Sequence, residues 1–154
     1  MHLTQLTDYS MRLLMFLAQH PQRLRTIAEV AGHYGISEAH LVKVTHLLGR
    51  AGWIVTTRGN GGGIRLAHEP KDIVIGEVVR SMEPDFFVVE CFATGNSCTL
   101  TGNCKLTGVM DGALRSFMQY LDQHTLADIL PAAPAPATAH VVRIGRRARA
   151  SVSP

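Results

Sequence analysis

The chain has 154 residues, 46% of them hydrophobic and 18% charged, with a formal net charge of +3. That length and apolar share suffice for one packed domain with an added element or two, and they exclude wholesale disorder. The longest apolar run near the start, residues 13–18, falls far short of the roughly 18 to 20 residues that cross a bilayer, and no cleavage-site pattern follows it, so a cytoplasmic protein is expected.

Charge is spread unevenly. Residues 1–71 carry eight Lys/Arg against four acids, residues 72–130 three against eight, and residues 131–154 four Arg and no acid. A basic first stretch beside an acidic second one points to a polyanionic partner for the first; an ordinary solvated surface is the plain alternative.

In chain order, residues 7–20 read as a helix capped by Thr7, with Asp8 suiting the positive helix end and Pro21 closing the segment. Thr26-Ile27-Ala28-Glu29 fits the capping box and opens a short second helix, with Gly32 and Gly35 at its end. Ser37 caps a third helix to about Ala51, with Leu41, Val44, Leu47 and Leu48 on one face, and Gly52 stops it. Trp53-Ile54-Val55-Thr56-Thr57 is a strand, residues 58–63 a glycine-rich turn, and Ile64-Arg65-Leu66 the returning strand. Residues 75–82 form a short amphipathic helix ended by Pro84. Residues 85–104 form a loop holding all three cysteines. A long helix over 105–123 carries Leu106, Val109, Met110, Ala113, Leu114, Phe117 and Leu121 on one stripe, and Thr125 to Asp128 cap a last turn. Seven Ala, four Pro and four Arg in residues 131–154 predict a disordered tail.

The expected fold class is therefore mainly α with a small β-hairpin. A winged helix-turn-helix DNA-binding domain covers 1–84, a cysteine-rich loop 85–104, and a dimerisation helix with its final turn 105–130. Ala31 suits a close helix crossing, and Gly35 a turn that needs positive φ. Ile36, Leu41 and Val44 face the core, which turns Ser37, Glu38, His40 and Lys43 outward, toward base edges and phosphates. Arg58, Asn60 and Arg65 on the wing suit a narrow groove, where arginine gains from the negative potential. Double-stranded promoter DNA is the partner this order of features predicts; a plain packing domain accounts for each feature taken singly.

Cys91, Cys98 and Cys104 are spaced C-x6-C-x5-C, which suits neither a zinc knuckle nor the ferredoxin runs. Two readings stay open: thiolate ligands of an iron–sulfur cluster, or three unrelated cysteines partly buried as small apolar groups. A cluster needs a fourth ligand, and no histidine lies between His68 and His124. Nearby carboxylates are Glu83, Asp85, Glu90 and Asp111; Asp8 is remote and reads from sequence as a helix cap. The stripe on the long helix would stand exposed in a monomer and suits a homodimer, or it packs on its own domain. No cofactor fingerprint or nucleophile–base constellation points to an enzyme.

The stretches Leu3-Thr4-Gln5-Leu6-Thr7-Asp8-Tyr9, Arg58-Gly59-Asn60-Gly61-Gly62-Gly63-Ile64-Arg65-Leu66 and Ile75-Gly76-Glu77-Val78-Val79, with the cysteine trio, resemble the NsrR family. These are nitric-oxide-sensing repressors within a winged-helix family that also includes IscR. The likeness covers about residues 1–130. It implies a homodimeric repressor with an iron–sulfur cluster, expected as [4Fe–4S] with [2Fe–2S] as the alternative, held by Cys91, Cys98 and Cys104 and completed by Asp8 of the partner subunit. An IscR-like pattern has a histidine shortly after the last cysteine, where this chain has Thr107. The resemblance further implies that nitric oxide attacks the cluster, DNA is released, and nitric-oxide detoxification genes are switched on. A thiol-redox or iron–sulfur-status regulator of the same fold is the competing expectation.

Overall fold

The first helix, α1, runs over Gln5–Gln19 in a computed structural model that describes residues 2–100 and 102–131. Its cap is Thr4, not Thr7. The Thr4 side chain accepts the Thr7 N–H at 3.4 Å, and Thr7 itself is fully buried in the first turn. Asp8 following Thr7 makes Thr7 the natural local choice, but a distant residue decides otherwise. The Glu83 carboxylate accepts both the Thr4 N–H at 2.8 Å and the Thr4 hydroxyl at 3.2 Å. In a capping box the third helical residue does this work. Here that residue is Thr7, whose short side chain instead faces the Thr4 hydroxyl, so Glu83 supplies the missing acceptor from across the fold.

Helix α2 (Ile27–Tyr34) has both halves of its capping box, Thr26 with Glu29, and ends on Gly35 at φ +65°. Helix α3 (Glu38–Arg50) is capped by Ser37. Strands β1 (Ile54–Thr57) and β2 (Gly63–Leu66) pair antiparallel, with Ile54 opposite Leu66 and Thr57 opposite Gly63. The segment before α2 adds a further rung: Arg25 N–H donates to the Ile64 carbonyl at 3.0 Å, and Ile64 N–H to the Arg25 carbonyl at 2.7 Å. This explains the wing glycines. A Cβ at Gly63 would lie 2.6 Å from the Arg25 carbonyl oxygen, and one at Gly62 would lie 2.3 Å from that of Thr57.

A 3₁₀ turn over Pro70–Asp72 leads into helix α4 (Ile75–Met82), whose bounds match the expected ones. The cysteine segment is not wholly irregular, since Glu90–Phe92 forms a 3₁₀ turn. Helix α5 covers Lys105–Leu121. Thr125 and Asp128 then cap the last turn over Leu126–Ile129, as expected. That turn folds back under α4, with Ile75 N–H on the His124 carbonyl and Leu126 N–H on the Ile73 carbonyl. The tail expected over 131–154 lies, apart from Pro131, outside the described residues.

The core joins α1, α2, α3 and α4 to the hairpin. Leu13, Leu14, Val30, Leu41, Leu48, Ile73, Val78 and Leu126 are all fully closed off from solvent. Each such side chain contributes about 1.5–3 kcal/mol relative to exposure. The α5 stripe divides in two. Its far half packs Met118, with Leu114, Phe117 and Leu121, against Ile75 and Val79 of α4, while Leu106 and Val109 remain 59% and 65% exposed. The expectation of a stripe left wholly open in a monomer thus holds only for the first half, because the second finds its cover on α4.

Candidate functional site

One surface is built around the start of α3. Burial of Ile36, Leu41 and Val44 fixes the helix's rotation, and Ser37, Glu38, His40 and Lys43 stand exposed on its outer side. The Ser37 hydroxyl bonds the His40 N–H at 3.4 Å and lies 3.0 Å from its Nδ1, so the cap and the imidazole are held together. The Tyr9 ring of α1 sits 6.1 Å from that imidazole. Val42, 55% exposed, shares this outer side; an apolar residue just off the buried stripe was the available signal for it. Arg58 and Asn60 are exposed in the wing turn, and Arg65 is exposed on β2.

Behind this face, Arg23 and Arg25 both bond the Glu29 carboxylate. The Thr26 backbone N–H first, then the Arg23 guanidinium, pulls the Glu29 pKa from 4.5 down to about 2. The carboxylate that closes the α2 cap therefore stays ionised at any physiological pH.

A second surface lies where the cysteine segment enters α5. Cys91, Cys98 and Cys104 are all unpaired and half-buried. Cys91 lies on the 3₁₀ turn, and Cys104 is the N-cap of α5. The Cys91 sulfur is 3.4 Å from the Thr107 hydroxyl. The Thr107 N–H, its hydroxyl and the Leu106 N–H draw the Cys104 thiol below its usual pKa. Thr107, at the place of the IscR-like histidine, thus serves two thiols. The Asn96 side chain accepts the Cys98 N–H at 3.1 Å and donates to the Ala93 carbonyl at 3.1 Å, which shapes the backbone before Cys98.

The four nearby carboxylates are already engaged. Glu83 holds Thr4, Asp85 accepts the Phe87 N–H at 3.1 Å, and Glu90 accepts from the Ser97 N–H and hydroxyl. Asp111 pairs with Arg115 at 2.8 Å. Asp8 stands exposed in the first turn of α1 and pairs with Arg12, one turn on, at 2.9 Å. Exposed pairs of the last kind are worth about 0–1 kcal/mol and are readily exchanged. Among the described residues, no three His, Cys, Asp or Glu side chains stand together as a ready metal-binding group. The donor set itself suits iron–sulfur chemistry: three free thiols in one segment, one of them drawn toward thiolate. Among the described residues, no helix is long and apolar enough to cross a membrane.

Comparison with known proteins gives a consistent picture. The family model Rrf2, described as an iron-dependent transcriptional regulator, matches residues 3–132. The HTH-type transcriptional regulator NsrR of Bacillus subtilis strain 168 is 48% identical over 132 residues, covering 84% of this chain and 90% of its own. NsrR of Shouchella clausii is likewise 48% identical, over 84% of this chain and 89% of its own. Among solved structures, T. potens IscR superposes with a TM-score of 0.67 at 27% identity, covering 83% of this chain and 85% of that one.

Proposed function

The chain belongs to the Rrf2 family of transcriptional regulators, and from that premise we propose that it is a homodimeric repressor whose hold on promoter DNA is broken by nitric oxide acting at an iron–sulfur cluster. Binding to DNA accords with its kinship to transcriptional regulators. In this reading residues 1–84 read the duplex, residues 85–104 hold the cluster and residues 105–130 pair the subunits. Ser37, Glu38, His40 and Lys43 meet base edges and phosphates in the major groove, while Arg58, Asn60 and Arg65 reach the adjacent minor groove.

The observation that carries the proposal is three unpaired, half-buried thiols in the one segment that leads into α5, two of them beside Thr107, with Asp8 exposed on α1. Cys91, Cys98 and Cys104 would hold the cluster, with Asp8 of the partner subunit as the fourth ligand. When bound, the cluster would supply iron sites that nitric oxide can attack. The chain's own residues do the rest. Thr107 keeps the Cys104 sulfur disposed to be a thiolate, and the weak Arg12 pair leaves the Asp8 carboxylate free to exchange partners. Because α1 packs inside the winged domain, while Cys104 caps α5 and Cys91 lies beside its first turn, a shared ligand set would tie one protomer's winged domain to the other's α5. Loss of that tie needs to supply only about 1–3 kcal/mol to change DNA affinity 5–150-fold.

The test is binding to a palindromic duplex, measured anaerobically on protein with counted iron and sulfide, before and after adding nitric oxide. Tight binding that collapses with nitric oxide is expected, and Asp8→Ala should stay folded while its absorbance spectrum and DNA response change. Equal affinity in the intact, nitrosylated and metal-free forms would end the proposal. The lowered Cys104 pKa also suits a second reading, a thiol-redox regulator. A colourless, iron-free protein with full affinity, losing DNA on mild oxidation, would select that reading.

A further inference from the structure

Gly76 lies in the Ile75-Gly76-Glu77-Val78-Val79 stretch, and the function proposed above gives it no task. The fold does. Asp122 caps the end of α5, and its carboxylate reaches across to α4 of the same chain. There Arg80 grips it at two points, Nη1 to Oδ1 at 2.7 Å and Nη2 to Oδ2 at 2.6 Å. A Cβ on Gly76 would lie 1.9 Å from Asp122 Oδ1 and 3.2 Å from Arg80 Nη1. One carboxylate oxygen therefore points straight at the place a Gly76 side chain would take, and it can do so only because residue 76 has none.

This joint differs from an ordinary surface ion pair. The two side chains are 44% and 38% exposed, so the pair adds little to folding stability. What a two-point guanidinium–carboxylate fork adds is geometry, since it fixes direction as well as distance. Beneath it, Ile75 and Val79 meet Met118, Leu114, Phe117 and Leu121 in a small apolar patch. That packing sets the separation of the two helices, and the fork adds a directional constraint beside it. Helix α4 is in turn fixed to the wing: the Trp53 indole N–H, just before β1, donates to the Ser81 hydroxyl at 2.8 Å. The joint thus orients α5 against the DNA-reading unit, beside the turn after α5, which bonds the backbone at Ile73 and Ile75.

We propose that the Gly76–Arg80–Asp122 lock determines which spacing between DNA half-sites the regulator accepts. The inference rests on the reading of a DNA-binding dimer paired through α5. In such a dimer each winged domain is joined to its α5 through this fork and the turn that follows it, and the fork is the part that sets direction. One added base pair moves a half-site along by about 3.4 Å and round by about 35°. A locked joint cannot follow that movement, whereas an unlocked one can.

The test uses the full chain and a defined probe: the palindromic duplex that the wild type binds most tightly from a randomised pool, with its central spacer changed by one or two base pairs. Wild type should lose about tenfold or more per base pair of change, whereas Gly76→Ala, Asp122→Ala and Arg80→Lys should lose about two- to threefold. All three variants should hold the parent duplex within a few-fold of wild type, and Arg80→Ala with Asp122→Ala together should do no more than either alone. Circular dichroism and melting confirm that each variant is folded; Asp122→Ala, which leaves α4 untouched, guards against misfolding of Gly76→Ala. Folded variants that keep the wild-type spacing profile overturn the lock and leave the dimer reading intact. An Arg80→Lys protein with that profile shows that charge alone suffices, and overturns the geometric claim. A wild type that binds duplex with no dependence on spacer length overturns the dimer reading beneath it.

Discussion

The winged domain and the cysteine segment are held by different means. From α1 to α4 the chain is organised around side chains closed off from solvent, such as Leu13, Leu41, Leu48 and Val78. Between residues 83 and 117, by contrast, no described residue is fully buried. Shape there comes from side-chain hydrogen bonds to nearby backbone: Asp85 to Phe87, Asn96 to Cys98, Glu90 to Ser97. Elements that must rearrange belong to the low-stability end of a structure, because apolar packing has to be undone before anything moves. The difference accords with the proposed division of labour, in which the rigid half reads DNA and the loosely held one responds.

The strongest way to break this contrast is to compare truncations across it. Leu13→Ala should cost about 2–5 kcal/mol, as fully buried leucines do, while Phe87→Ala, at a side chain 56% exposed, should stay within about 0.5 kcal/mol. Urea unfolding measures both, and a comparable loss at Phe87 would mean the cysteine segment has a core of its own. Next in size is the bond between the halves. Glu83→Ala strands the Thr4 N–H and should cost about 0.5–2 kcal/mol, like loss of a helix cap. Glu83→Gln keeps an acceptor oxygen and should recover most of that.

Acid sharpens the contrast further. Glu29 has its pKa lowered from 4.5 to about 2, so its contribution is complete above pH 4.5 and is lost as pH falls through about 2. Asp122 and Asp128 are depressed in the same direction, by Arg80 and by the Thr125 backbone N–H respectively. Unfolding free energy followed from pH 5 to pH 2 should therefore decline, and Glu29→Gln should flatten part of the decline. An unchanged slope in that variant would remove Glu29 from the account. The smallest effect on the folded chain is expected on the open half of α5. Leu106→Ser with Val109→Ser should move subunit stability by no more than about 0.5 kcal/mol, yet should raise the concentration at which subunits associate in sedimentation. A variant that associates like wild type would show that pairing uses another face.

Local chemistry was legible from the residues alone. The Thr26 and Glu29 capping box, the Ser37 cap, the bounds of α4 and the Thr125 cap all depend on neighbours within four positions, and all appear. What the residues concealed was long-range. Thr4 displaces Thr7 as the cap because of Glu83, 79 positions away, and Gly76 gains its meaning from a carboxylate on α5. The rung between Arg25 and Ile64 was invisible for the same reason, since a lone bridge residue leaves no alternating pattern. At the site, the outward positions of α3 followed from its buried stripe. The engagement of Glu83, Asp85 and Glu90 by backbone and hydroxyl groups could not, because it depends on how the segment folds on itself.

The wing's crowded turn constrains how this regulator can change over evolutionary time. Backbone oxygens close over both Gly62 and Gly63, so any side chain installed there collides before it could touch a duplex. Ile64 is committed to the core. Gly59 and Gly61 have open space but φ of +97° and +77°, which side chains rarely adopt; on the proposed reading, lineages that shift their operators should therefore diverge at Arg58, Asn60 and Arg65 while the glycines between them stand still.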